Sequence, residues 1–193
     1  VNNLVGDGSC GAALSGDPLL GNLGDYGGDT PTVPLLPGSP AIDAGDAATC
    51  LATDQRGIGR VGTCDIGAFE SRGFSLSKGT GDGQSTPWGM AFDAPLTVAV
   101  SNAYTEPVDG GQVTYAGPLS DAGTAPITST ATITGGSAAL TPAANSMTGA
   151  YNVTASAAGA SPAIPFALTN TRRASATTLA SSANPSVIGQ SVT

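Results

Sequence analysis

The sequence predicts an all-β protein, and three observations support that fold class. No run with apolar residues at helical spacing is long enough to predict an α-helix. Glycine and proline number 28 and 14 among 193 residues, so turns are frequent. After Ser71, apolar residues alternate with polar ones, as in strands that bury one face. We therefore expect short strands joined by turns.

The first part of the chain, residues 1–71, predicts brief elements separated by turns. Residues 1–15 predict a short strand and a turn, and further short strands are expected at 41–44 and 65–69. Glycine and proline interrupt residues 17–40 every few positions. The expected core contacts are apolar side chains, namely Leu19, Leu20, Leu23, Leu35, Leu36 and Ile42.

Residues 73–171 predict an immunoglobulin-like antiparallel β-sandwich. Strands of four to seven residues with alternating apolar positions are separated by Gly, Pro, Asn and Asp turns, and the span is close to the roughly 100 residues of such a domain. The apolar positions are Leu96, Val98 and Val100, then Val113 and Tyr115, Ala131 and Ile133, Ala138 and Leu140, Tyr151, Val153 and Ala155, and Ile164, Phe166 and Leu168. The expected large core residues are Trp88, Phe92, Tyr115, Tyr151 and Phe166.

Charge is scarce and uneven, which separates the two parts and excludes some partners. Charged residues make up 10% of the chain, against roughly 25% in a typical soluble domain. Most acidic residues lie in residues 1–71. With 14 acidic and 6 basic residues, the chain lacks the basic surface that nucleic acid or an anionic membrane would need. No apolar run reaches the roughly 18 residues of a membrane span, so no membrane insertion is expected.

The cysteines predict one disulfide. Cys50 and Cys64 flank a glycine-rich loop, a suitable place for a disulfide in an exported protein. Cys10 is left over, and it pairs either with a cysteine upstream or is a buried thiol. Three scattered cysteines without histidine or CxxC spacing do not predict a zinc site.

The carboxylates of the first part allow three interpretations. Acidic glycine-rich loops can supply calcium oxygens, and paired carboxylates can perform acid–base chemistry. The favoured interpretation is that they cap turns and pair with Arg56 and Arg60. Calcium is the one cofactor considered, although no EF-hand loop is present. The candidate calcium ligands are Asp43, Asp46, Asp54 and Asp65, with Glu70 as a further carboxylate.

Catalytic arrangements are not predicted. The chain has no histidine to activate a serine, so a Ser-His-Asp triad within it is excluded. Lys78, Glu106 and Asn170 occur in the order of an internal isopeptide bond, but an exposed lysine is the default interpretation. We expect no enzyme activity from these residues.

Four phrases resemble a known family. DPLLG at 17–21, LPGSPAIDAGD at 36–46, DQRG at 54–57 and CDIGAFE at 64–70 resemble the choice-of-anchor Q domain. The resemblance implies that residues 1–71 end a right-handed parallel β-helix in a large exported bacterial protein. Residues 73–171 are similar, more loosely, to bacterial immunoglobulin-like repeats. Residues 172–193 are expected to form a linker and, from TTLASSANPSVIGQSVT at 177–193, the start of a second repeat.

These observations predict a non-enzymatic structural or display fragment of an exported bacterial surface protein, a cap and stalk with an adhesin-like setting. Its expected partners are the adjoining β-helix and immunoglobulin-like repeats of the same parent chain. One alternative is a module that binds glycans or host and matrix proteins through Trp88 or Tyr104; an exposed Trp88 would favour it. Another is the non-catalytic part of a β-helix polysaccharide-degrading enzyme.

Overall fold

The computed structural model describes residues 3–12, 14–117, 128–178 and 188–189, and these residues form β-structure without an α-helix. The all-β prediction is confirmed. A single turn of 3-10 helix, Ser9–Gly11, separates the first two strands. The strands are β1 Leu4–Val5, β2 Leu14–Ser15, β3 Phe74–Lys78, β4 Gln84–Pro87, β5 Leu96–Ser101, β6 Gln112–Ala116, β7 Thr128–Thr132, β8 Ser137–Leu140, β9 Gly149–Ser156, β10 Ala160–Ser161 and β11 Ile164–Thr171.

The strands form three sheets. β1 and β2 pair in parallel as a small two-stranded sheet. A four-stranded sheet has the order β10-β3-β5-β8, and a five-stranded sheet has the order β4-β11-β9-β6-β7. Both larger sheets are mixed, because β10 runs parallel to β3 and β4 runs parallel to β11 while the other pairs are antiparallel.

Alternation along the strands fills one hydrophobic core between the two larger sheets. Every second side chain of β5, β9 and β11 is buried while its neighbours are more exposed. Four of the five large core residues predicted from sequence are buried: Phe92, Tyr115, Tyr151 and Phe166. The prediction for Trp88 is wrong, since it follows the end of β4 and is 39% exposed.

The first part of the chain is held mainly by turns. The strands predicted at 41–44 and 65–69 are absent, and both segments are turns and bends. The backbone N–H of Ile42 donates to the Ser39 carbonyl, and Asp43 has a positive φ of 56°. The N–H of Asp43 then donates to the Asp65 carboxylate, so side-chain acceptors replace a sheet ladder here.

The hydrophobic core continues from the first part into the sheets. Leu35, Ala41 and Ile42 belong to the same buried cluster as the core strands. Backbone hydrogen bonds join the same surfaces, from the Gly38 N–H to the Ala158 carbonyl and from the Gln112 N–H to the Pro37 carbonyl. The division near residue 72 therefore stays a prediction, and the two sides of it share packing.

Three further predictions concern the leucines of the first part, residues 177–193 and membrane-spanning segments. Leu19, Leu35, Leu36 and Ile42 are buried as predicted, but Leu20 and Leu23 are 50% and 69% exposed. The repeat start predicted at 177–193 lies largely outside the described residues. Within the described part of the chain, no helix has the length and apolar character needed to cross a bilayer.

Candidate functional site: a buried charge network

The most unusual feature of the structure is a set of buried charged side chains. Charged residues are almost never fully buried unless they are paired. Each of five is at most 7% exposed: Asp54, Arg56, Asp65, Glu70 and Glu106. Four lie in the loops of the first part, and Glu106 lies in the connection between β5 and β6. The network therefore spans both parts of the chain.

Arg56 forms the centre of the network. Its Nε atom donates to Oδ2 of Asp54 at 2.8 Å, and its Nη2 atom donates to the Glu70 carbonyl. The guanidinium lies 3.5 Å from the ring centroid of Phe69, a cation–π contact. These contacts fix a planar group in one orientation, which suits arginine in a buried ion pair.

Asp54 shapes the loop that carries Arg56. Its Oδ1 atom accepts the N–H groups of Arg56 and Ile58, so the carboxylate closes the DQRG turn locally. Burial acts to raise the pKa of Asp54, but hydrogen bonds from the Glu70 N–H and the Arg56 side chain outweigh it and hold the pKa below its ordinary value. Asp54 is therefore an ionised structural carboxylate.

Glu70 organises the neighbouring loop around Arg60. Its Oε2 atom accepts from Nη1 of Arg60 at 2.8 Å and from the Asp65 N–H at 2.9 Å, while Oε1 accepts from the Val61 N–H. Arg60 also donates to the carbonyls of Asp65 and Gly67. One carboxylate thus satisfies three donors from a segment that has no sheet partner.

The disulfide closes the same loop. Cys50 and Cys64 are bonded, with Cα atoms 6.4 Å apart, as the sequence predicts. Disulfides persist in oxidising compartments, so this bond indicates an oxidising environment. The side chain of Cys10 lies outside the described part of the structure, and its partner stays a prediction.

Asp65 carries the most strongly shifted carboxyl group. Its pKa is raised to about 6, mainly by burial and also by the nearby negative charges of Glu70 and Asp43. Two backbone N–H groups oppose this shift: that of Asp43, 2.8 Å from Oδ1, and that of Ser71, 2.6 Å from Oδ2. Asp65 therefore ties two chain segments together through a group that titrates near neutral pH.

Glu106 joins the first part to the sheets. It accepts from the backbone and the Nε atom of Arg72, and from the side chain of Asn102 at 3.1 Å. Nη1 of Arg56 lies 3.6 Å from its Oε1 atom. Asn102 in turn accepts the N–H of Glu106 at 3.0 Å, which fixes the loop. We call these contacts around Glu106 the joint.

A strained residue sits within the joint loop. Thr105 has a φ of 61°, a left-handed conformation that is rare for a β-branched residue. On its two sides, the N–H groups of Tyr104 and Glu106 both donate to Oδ1 of Asn102. These bonds hold the turn that aims Glu106 inward and leaves Tyr104 at the surface.

The calcium candidates occupy different surroundings. Asp54 and Asp65 bind donors of the fold itself, Asp46 accepts the Ala48 N–H, and Asp43 is exposed. In the part of the chain that the structure describes, no group of three or more His, Cys, Asp or Glu side chains is placed to hold a metal ion. The favoured interpretation, pairing with arginine, is present, since Asp54 pairs with Arg56 and Glu70 with Arg60.

The two aromatic candidates are both at the surface. Trp88 is 39% exposed and Tyr104 is 47% exposed. The guanidinium of Arg72 lies 4.0 Å from the Tyr104 ring centroid, so one face of that ring is covered. Tyr104 therefore belongs to the joint as well as to the surface.

The three residues considered for an isopeptide bond each have other partners. Nζ of Lys78 pairs with Asp82 at 2.7 Å. Asn170 accepts from the Tyr151 hydroxyl and donates to Asn145, while Glu106 lies in the joint. The arrangement that their order along the chain would allow is not formed.

Sequence reasoning did not find the joint. No sequence pattern points to Arg72 or Asn102, and the order of residues along the chain suggests for Glu106 only the isopeptide arrangement. One signal was present in the sequence: Glu106 is an acidic residue in a nearly uncharged region, followed directly by proline. Which arginine it would meet depends on how the two parts pack.

No known family model matches this chain. Curated proteins and solved structures likewise contain no match. The resemblance to the choice-of-anchor Q domain therefore stays a prediction, and the function is argued from the geometry.

Proposed function

We propose that this chain is a non-enzymatic structural segment of an exported bacterial surface protein, in which a turn-rich cap is fixed rigidly to a β-sandwich stalk. The observation that carries the proposal is the joint: Glu106 of the sheet region contacts Arg56 of the first part and Arg72, which directly follows that part. The side chains of Arg56 and Glu106 are at most 1% exposed. A buried ion pair shared between two parts fixes their relative position.

The hydrogen bonds that the buried carboxylates accept support a structural role. Asp54, Asp65 and Glu70 accept hydrogen bonds from arginine side chains or from backbone N–H groups of their own loops. A catalytic carboxylate needs to face a substrate rather than the fold. In the charge network, these three carboxylates instead stabilise loops that lack sheet pairing.

The strand order supports an immunoglobulin-like sandwich for the second part. The first two strands of this part, β3 and β4, lie in different sheets. β3 pairs with β5 in one sheet, and β4 pairs in parallel with β11 in the other. Antiparallel β11, β9 and β6 form the centre of the five-stranded sheet. Two sheets over one core with crossing connections match the sandwich architecture.

An exposed apolar groove supports the cap. Leu20, Leu23 and Val33 are 50%, 69% and 37% exposed, and they line a groove of about 400 Å³ together with Leu35 and Phe69. A contiguous apolar surface of this kind favours contact with another module. We propose that the adjoining β-helix of the parent chain covers it, in the role of a solenoid end.

The proposal is tested by asking whether the two parts unfold as one unit. Hydrogen exchange of amides in residues 41–71 reports on the first part, and Trp88 fluorescence reports on the sheets. We expect coincident denaturant transitions in the wild type and two separate transitions in Glu106→Ala. Two transitions in the wild type, or a single unchanged transition in the variant, would contradict a rigid joint.

A second candidate function is a binding module, which the exposure of Trp88 favours. Trp88 lies where β11 ends, because its N–H donates to the Thr171 carbonyl. Met90 and Met147 are also exposed, and the Ala144 N–H donates to the Met90 carbonyl. A screen against glycans and matrix proteins, with and without calcium, tests this candidate; a saturable hit that Trp88→Ala removes would support it over the stalk.

A further inference from the structure

We infer that a cleft beside the joint binds a short neutral saccharide. The cleft lies between residues 25–27 of the first part and residues 104–106 of the second, and has a volume of about 400 Å³. This volume lies within the range of small-molecule sites, roughly 300–1,000 Å³. Its lining includes Asp25, Tyr26, Arg72, Tyr104, Thr105 and Glu106. The site goes beyond the structural role, because it gives the joint a ligand.

Two tyrosines supply the apolar surface of the cleft. The ring of Tyr26 packs edge-to-face on Phe69 with centroids 6.0 Å apart, and its hydroxyl donates to the Asn22 carbonyl. Tyr104 is 47% exposed, and Arg72 covers one face of its ring. Aromatic side chains that combine an apolar face with a polar edge suit a ligand that has both C–H faces and hydroxyl groups.

Hydrogen-bond donors and acceptors both line the cleft. Asp25 brings a carboxylate acceptor and Arg72 brings guanidinium donors. Thr105 brings a hydroxyl oxygen whose proton is donated to the Tyr104 carbonyl, while the Glu106 carboxylate is held by the joint. A saccharide hydroxyl donates and accepts at the same atom, so it can use this mixture. Polar groups of this kind fix a ligand's orientation in small-molecule sites.

The charges of the cleft favour a neutral ligand. Arg72 already lies over Tyr104 and pairs with Glu106 at 3.2 Å, so an incoming cation would have to displace it. Asp25 faces the cleft in a chain of net charge -8, which disfavours an anion. A neutral polyol avoids both penalties.

The cleft is organised before a ligand arrives. Oδ1 of Asn102 holds the N–H groups of Tyr104 and Glu106 at 2.6 Å and 3.0 Å. Thr105 adopts its positive φ between them. On the other wall, Oδ1 of Asp25 accepts the Gly27 N–H at 3.0 Å. Fixed walls reduce the entropy that binding would otherwise cost.

The test is an amide-resolved NMR titration of the whole chain with individual neutral mono- and disaccharides at millimolar concentration. We expect saturable shifts at Gly27, Thr105 and Glu106 with at least one saccharide. Tyr104→Ala should weaken that affinity about tenfold, the loss of one aromatic contact. The control, Leu51→Ala, removes another large exposed apolar side chain that does not line the cleft, and it should leave the affinity unchanged.

A second variant guards against misfolding of Tyr104→Ala. Asp25→Ala lies on the opposite wall and should also weaken binding while the remaining amide spectrum stays native. Absence of shifts across the saccharide set, shifts confined to the surroundings of Trp88, or stronger shifts with choline or glucose 6-phosphate than with neutral sugars would each overturn the inference. None of these results depends on whether the joint unfolds as one unit.

Discussion

Nη1 of Arg56 lies 3.6 Å from Oε1 of Glu106, and neither side chain has more than 1% of its surface exposed. Removing two charges from water costs several kcal/mol per ion, and the cost is offset only when further hydrogen bonds satisfy both groups. Arg56 obtains hydrogen bonds from Asp54 and Glu70 through Nε and Nη2, while its Nη1 atom faces Glu106 without a hydrogen bond. Glu106 obtains them from Arg72 and Asn102. The pair therefore depends on both parts of the chain being in place.

Replacement of Glu106 by alanine should strongly destabilise the fold. The change leaves Arg56 buried beside an empty space and removes the acceptor of Arg72, and breaking a buried pair in this way costs about 3 kcal/mol. Urea unfolding followed by circular dichroism measures the loss, taken from the earlier of the two transitions expected for this variant. Asp93→Asn is the matched control, because Asp93 is an exposed acidic residue of the same region and should change the free energy of unfolding by less than about 0.5 kcal/mol.

Reduction of the disulfide should destabilise the first part. Cys50 and Cys64 are 14 residues apart, and the chain-entropy model assigns about 3 kcal/mol to a loop of this length. The Cys50→Ser, Cys64→Ser double variant should lose this amount in denaturant unfolding. Dithiothreitol should lower the stability of the wild type to the level of the variant and leave the variant unaffected; a wild type that ignores the reductant would contradict the prediction.

Stability should fall as the pH rises through about 6, because of Asp65. Its pKa is raised by burial to about 6, so the folded state binds the proton more strongly than the unfolded state. This contribution is complete below the ordinary pKa near 3.8 and is lost as the pH rises through the folded value. With partial solvent screening we expect about 1–2 kcal/mol.

Carbon-detected NMR of the Asp65 carboxyl group measures this pKa directly. A midpoint near 4 would refute the explanation, whatever the stability profile. The Asp65→Asn variant should lose the fall in stability around pH 6, while Asp46→Asn should keep it. Asp54 acts in the opposite direction: its pKa is lowered, so its contribution is present above its ordinary value and is lost as the pH falls.

Thr105→Asn should stabilise the chain slightly. Asparagine tolerates a positive φ better than a β-branched residue, and the strain of Thr105 at 61° is on the order of 1 kcal/mol. Thermal unfolding should show a higher midpoint for the variant. Thr148→Asn, at an exposed position without positive φ, is a control for the substitution itself and should give no gain.

Gly38→Ala should damage the packing between the two parts. Gly38 has a φ of 87°, and an added Cβ would stand 2.5 Å from the Gln112 carbonyl oxygen. We expect a loss above about 2 kcal/mol, from backbone strain together with overlap. Gly57→Ala separates the two effects, because Gly57 has a φ of 78° with nothing within 4 Å of the added atom, and it should cost only about 1 kcal/mol.

The sheets could be predicted from sequence because their signal is local. Alternation at Leu96, Val98 and Val100 places one face in the core wherever the strand pairs, and all three are at most 4% exposed. The prediction that Trp88 is buried is wrong because Trp88 follows a short strand, where no alternating pattern indicates which side chains face the core. Its exposure depends on where β4 ends.

The network could be predicted only in part. The pairs Asp54–Arg56 and Glu70–Arg60 connect residues of one loop region, and their composition suggested them. The joint required knowing that the connection before β6 packs against the DQRG loop, a long-range contact without a pattern of its own. The strand predicted at 41–44 is also absent because of a long-range contact: the acceptor of the Asp43 N–H is the side chain of Asp65, which is distant in sequence.

The placement of β11 determines how the chain responds to tension. Its residues Ile164–Asn170 pair antiparallel with β9, and Leu168–Thr171 pair in parallel with β4. A force applied along this strand acts on both sets of interstrand hydrogen bonds in shear. Several of these hydrogen bonds must therefore break together instead of one after another. Resistance to extraction at this end of the chain is therefore governed by the rate of a concerted rupture, and the strand acts as a mechanical clamp.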